Sequence, residues 1–205
     1  EDQGMDDSTD LENDVFGSYE VRTRYSPLIV DIVDEENISG ALRVLIATCD
    51  KAMQPEDKAY AWQQLARFMG YEMFDKEMSK LDDLCDRLYS AMTSDRGQEE
   101  FATPKTGIEA AHVAIDIAIN LHPDYGHHYV TKGDLYRLQL WKPVRDNWPS
   151  SLSKSIEICR KAFEVYDKAI NTTHGFNHYP MIGKIQAIIH LLHHLKSSSC
   201  YNPAD

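Results

Sequence analysis

The side chains best placed to do chemistry by type and spacing are the histidines of "HLLHHL". His190 and His194 stand four residues apart, so a helix would set both imidazoles on one face, the spacing of a two-histidine metal clip. A closed site needs a third ligand, and no acidic residue lies nearby in sequence. Polar positions on an amphipathic helix are the plainer reading. "HH" at His127 and His128 opens another helical segment, with one ring expected toward solvent or a groove. The carboxylate pairs Asp82–Asp83 and Glu99–Glu100 are adjacent, so on a helix their side chains diverge and read as a solvated face. Cys49, Cys85, Cys159 and Cys200 lie far apart without a CxxC pair, which suits neither a disulfide scaffold nor a zinc site and fits a reducing compartment. Phosphate-binding loops of the GxxxxGK[ST] or GxGxxG type, a GxSxG elbow and an HExxH helix are all absent from the sequence. Trp62, Trp141 and Trp148 read as core or loop anchors. No nucleophile, base and orienting group assemble, so the expectation is a protein without catalytic residues, metal or cofactor.

The bulk properties agree. The chain has 205 residues, 42% hydrophobic and 26% charged, with a formal net charge of −12. A globule of this size buries roughly 70% of its unfolded surface. Scattered cations on an acidic chain argue against nucleic acid and against an anionic membrane surface, both of which reward a clustered basic face. No apolar run reaches the length of about 18 residues that spans a bilayer. The acidic start "EDQGMDDSTD" is unlike a secretory signal, and the cytoplasm is the expected location.

The elements that would carry these residues are helical. Leu42, Leu45, Ile46, Cys49 and Met53 recur at three- and four-residue steps after a Ser39 cap, and Pro55 stops that run. Trp62, Leu65, Ala66 and Met69 repeat the pattern, and Met78 to Met92 extends it in a helix expected over residues 76–92. A loop over 93–107 follows. A second loop, around Pro143 and Pro149, separates the middle from two closing helices. Pro27 starts an early helix with Leu28, Ile29, Ile32 and Val33. No alternating strand pattern appears, so the expected fold is all-α, about eight helices in an irregular stack of antiparallel pairs. An acidic flexible leader (1–18) precedes a single helical domain (19–196) and a tail (197–205).

One stretch, "AHVAIDIAINLHPDYGHHYVTKGDLYR", is more specific. Ala111, Ile115 and Ala118 share a helix face, Pro123 interrupts, and Tyr129, Gly133 and Tyr136 share a second face. Glycine inside a helix costs about 1 kcal/mol against alanine, so Gly133 implies a close crossing, with small residues of one helix opposite rings of the other. These seven residues resemble the tetratricopeptide repeat, with Lys132 where that motif carries leucine. Trp62, Leu65 and Ala66 resemble the first helix of a unit. Ala162, Tyr166 and Ala169 resemble a second helix, with His174 where the motif has proline. Such a stack exposes its first helices on a concave side, which places Tyr60, Gln63, Arg67, His127, Val130, Asp134 and Arg137 on the partner-binding face. Arg137 is there the residue whose charge reversal would weaken binding.

A wider resemblance covers Tyr19 to Leu195. "RTRYSPLIVDIV" resembles the end of the winged-helix region of STAND-type ATPases. "AYAWQQLARFMGYE" and "HGFNHYPMIGKIQAIIHLL" resemble the helical repeats of the sterile-alpha-motif-domain-containing antiviral proteins. That likeness implies an interaction or regulatory segment of an innate-immune signalling protein, binding a protein, a peptide or other domains of its parent chain. The rival readings are an autoinhibitory segment packed on a STAND ATPase core and a metal-dependent helical enzyme using His190 and His194.

Overall fold

A computed structural model describes residues 38–52, 54–81, 83–96, 103–145, 151–173 and 178–199. Seven α-helices follow one another among them: α1 (Ile38–Lys51), α2 (Pro55–Glu72), α3 (Asp83–Arg96), α4 (Gly107–Leu121), α5 (Gly126–Arg145), α6 (Leu152–Thr172) and α7 (Tyr179–Ser199). A 3-10 turn, Met78–Leu81, precedes α3. The described residues are all-α, with one isolated bridge and no strand. The leader, the helix expected at Pro27, and Met53, Pro149, Trp148, His174 and Cys200 lie outside them.

Local chemistry sets the helix starts. Pro55 stops α1's run and opens α2, where its fixed φ suits the first turn, with Glu56 and Asp57 at the positive end of the dipole. Ser151 caps α6 by accepting the Lys154 N–H at 3.3 Å. Ser39 lies inside the first turn of α1 instead of capping it.

The helices stack in pairs. α2 packs on α4 and α5 on α6, while α7 lies against both α6 and α5. The Ile108 N–H donates to Phe74 O at 3.1 Å, so α4 starts where α2 has just ended and the two run antiparallel. Gly126 at the start of α5 approaches Thr173 just beyond α6, and that pair is antiparallel too. Gln63 of α2 reaches Thr131 of α5, which makes the first helices of successive pairs neighbours.

α3 is an excursion within the first pair. The Met78 N–H donates to Lys105 O at 2.8 Å and the Gly107 N–H to Lys76 O at 3.0 Å. The chain therefore leaves and rejoins the stack through one clip. That clip is why the single helix expected over 76–92 is broken: Lys76 and Glu77 are drawn into extended pairing, Met78–Leu81 tightens, and α3 begins at Asp83. α3 then runs through Arg96, four residues into the expected loop. There Asp95 accepts from Trp62 Nε1 at 2.8 Å and pairs with Lys58 at 2.6 Å. Pro143 does not stop α5, because so near the helix end its missing N–H disturbs only the last turn. α7 continues to Ser199, past the boundary expected at 196.

The core forms two blocks. The larger runs through α1 to α4 and takes in Leu135 and Leu138, with Trp62, Leu65, Ala66, Ala111, Ile115 and Ala118 at zero exposure. The smaller holds Leu140, Cys159, Ala162, Tyr166 and Ala187. Ala169 is buried, and Tyr129 and Tyr136 are half-buried. The close crossing at Gly133 exists, but its ring belongs to α6: a β-carbon there would lie 2.7 Å from Cδ1 and Cζ of Tyr166. Ala111 packs beside Gly70 of α2, small against small, while the Tyr136 ring of α5 meets His112 of α4 at 4.5 Å. Lys132, the departure from the repeat pattern, pairs with Asp116 of α4.

Candidate interaction groove

The first helices of the two pairs enclose a groove of about 250 Å³. α2 contributes Tyr60, Gln63 and Arg67, and α5 contributes His127, Val130 and Asp134. These are six of the seven residues read from sequence as one face. They converge because α2 and α5 lie side by side and each presents successive turns to the same hollow. Arg137, the seventh, lines an adjoining hollow with Trp141, Gln186 and His190. Tyr71 borders both.

Sequence reasoning missed Gln64, Tyr71, Tyr125, Thr131 and Tyr179 in the lining. Tyr71 follows Arg67 by one turn, as Thr131 follows His127, so extending each face by four residues finds both. Tyr179 belongs to α7, and only the stacking of α7 on α5 brings it in.

Gln63 ties the floor together. Its Nε2 donates to Thr131 Oγ1 at 2.7 Å and to His127 O at 3.2 Å, while its buried Oε1 has no partner among the described residues. An unpaired buried acceptor costs about 1–3 kcal/mol. Arg67 is exposed on the rim and has no carboxylate partner among the described residues. Arg137 is committed elsewhere: it pairs with Asp134 at 3.3 Å, and the same carboxylate accepts the Tyr166 hydroxyl at 2.8 Å. Burial first, and then Asp134, raise the hydroxyl pKa values of both Tyr71 and Tyr166.

The histidines divide by environment. His128 is fully buried with neither ring nitrogen bonded; burial, then His122 and His127, hold its pKa down to about 3. Its ring meets Tyr125 edge-on at 4.9 Å. His127 is the one that faces the groove. His194 is not an exposed polar residue of α7: it is buried, with Nε2 3.0 Å from Leu140 O. His190 sits near Arg137, and burial and then that cation lower its pKa. No group of three histidine, cysteine or acidic side chains able to hold a metal occurs among the described residues, and no helix there is long and apolar enough to cross a membrane. Cys49, Cys85 and Cys159 are unbridged.

The chain matches no family model, no curated protein and no solved structure.

Proposed function

We infer that the chain is a protein-interaction module, a helical scaffold whose work is binding, and that the α2–α5 groove takes an extended peptide carrying an acidic side chain. The observation that carries this reading is the convergence of Tyr60, Arg67, Tyr71 and His127 on one hollow between parallel helices. Tyrosine and arginine are enriched in binding hot spots, tyrosine because it covers much area for few rotatable bonds and arginine because its planar fork donates several hydrogen bonds. An exposed arginine with no carboxylate partner among the described residues, on a chain of net charge −12, selects a carboxylate. The paired order of helices supports a tetratricopeptide-like scaffold serving as a regulatory or scaffold segment.

The test residue is Arg67. Arg137, the choice from sequence, also holds Asp134, so its reversal would disturb the fold together with the surface. A displayed library of random peptides panned on the chain is expected to enrich sequences with Asp or Glu. Arg67→Glu should weaken the enriched peptides about tenfold or more with helicity unchanged, and high salt should weaken wild-type binding. No enrichment, or binding indifferent to Arg67, refutes the reading.

A further inference from the structure

Among the described residues, α7 is apolar on two opposite sides. Against α5 and α6 it turns Gly183, Ala187 and His194, while Met181, Ile182, Ile185, Ile188, Ile189 and Leu192 face outward, each 43–58% exposed. A helix apolar on both sides is one meant to be buried on both.

The outward residues are also in register. Met181, Ile185, Ile188, Leu192 and Leu195 follow at steps of four, three, four and three, the a/d seam of a coiled coil. We propose that this seam is a homotypic interface, on which α7 pairs with α7 of a second copy of the chain. Two further observations select that occupant. Together with the flanking Ile182 and Ile189, the seam offers on the order of 700 Å² of apolar surface, near the about 800 Å² per partner of a stable complex. The flanks that choose partners by charge carry Ile182, Ile189 and Leu191, with Lys184 turned to Asp167 and Lys196 near the C-terminal end. α7 contains no acidic residue, so the −12 lies on other elements, and its two lysines stand near opposite ends of the helix, away from the middle of the seam. The core beneath is thin, with Tyr166 its one aromatic at zero exposure, so covering α7 also braces the last pair.

Sedimentation equilibrium of the 205-residue chain at micromolar concentration and physiological salt is expected to give twice the chain mass. Ile188→Glu, at an exposed position central in the seam, should return it to monomer with the same helical circular dichroism. Ile188→Cys should form a disulfide-linked dimer on mild oxidation that the parent chain does not form. A monomeric parent chain, or an Ile188→Glu variant that stays dimeric, overturns the proposal. Arg67→Glu is expected to remain dimeric, so loss of peptide binding and loss of pairing are read separately.

Discussion

Gly133 on α5 and Tyr166 on α6 are in contact so close that only a hydrogen fits between backbone and ring: a β-carbon at Gly133 would lie 2.7 Å from Cδ1 and Cζ. The ring has no retreat, since Gly183 of α7 presses from another side, where a β-carbon would lie 2.7 Å from Cε1. Two glycines thus let one tyrosine join three helices. Gly133→Ala gains about 1 kcal/mol of helix propensity. Overpacking a core costs about 1–3 kcal/mol, and here both walls are backbone, so the upper part of that range applies. Urea unfolding should show a net loss of about 1–2 kcal/mol. A raised midpoint would mean that the ring moves aside and the clamp is no constraint.

The Tyr166 hydroxyl gives the clamp a polar tip. Asp134 Oδ1 accepts it at 2.8 Å and also takes Arg137, so one carboxylate links α6 to the groove wall. Asp134→Ala strands a buried hydroxyl and an arginine, at a cost of about 1–3 kcal/mol. Removing both ends together, with Tyr166→Phe, should cost less than the sum by about 1 kcal/mol in a double-mutant cycle. Strict additivity would show that the bond contributes nothing beyond packing.

Acid should weaken this fold well before its carboxylates titrate. His128 and His112 stay neutral when folded, with pKa values lowered by burial to about 3 and about 4. Unfolded, each binds a proton near pH 6.5. The unfolded chain therefore takes up protons first as pH falls, so the stability present above about 6.5 drains away until the folded values are reached. Between pH 7 and 5 the loss is about 2 kcal/mol per histidine. Urea midpoints at the two pH values measure it, and His128→Leu should remove about half of the difference. An unchanged difference in that variant would place the acid sensitivity elsewhere.

What the sequence made legible follows from what is local. Three- and four-residue spacing places Leu42, Leu45, Ile46 and Cys49 on a buried face without any partner helix being known, and the structure buries all four. The inner face was readable for the same reason, since Tyr60, Gln63 and Arg67 need only one helix to line up. Pairing was not local. Whether Gly133 meets a ring of α4 or of α6 depends on the order of stacking, which spacing within α5 does not encode. The clip at Met78 and Gly107 was equally hidden, because their N–H groups meet the Lys105 and Lys76 carbonyls, backbone groups that leave no mark in the sequence. His194 misled by type: a histidine among leucines looks like a polar edge, yet Leu140 O supplies the partner that lets it be buried.

Asp95 shows how such a non-local tie can be tested. It sits in a stretch whose composition, "TSDRGQEE", reads as loop, yet it accepts Trp62 Nε1 at 2.8 Å and pairs with Lys58, fastening α3 to α2. Its side chain is 10% exposed, so the bond to the indole is screened from water. Asp95→Ala leaves Trp62 Nε1 without an acceptor and should cost about 1–3 kcal/mol. Because α3 joins the stack through this tie, the exposed Arg43–Asp83 pair, its packing and the clip at its base, the loss should be local. Amides of Asp83–Arg96 are expected to exchange faster while those of α5 and α6 keep their protection. Asp95→Asn retains an oxygen for the indole and gives up the lysine, so it should fall between wild type and alanine. Exchange in α3 that ignores both substitutions would mean that apolar packing through Leu84, Leu88 and Met92 alone holds the excursion in place.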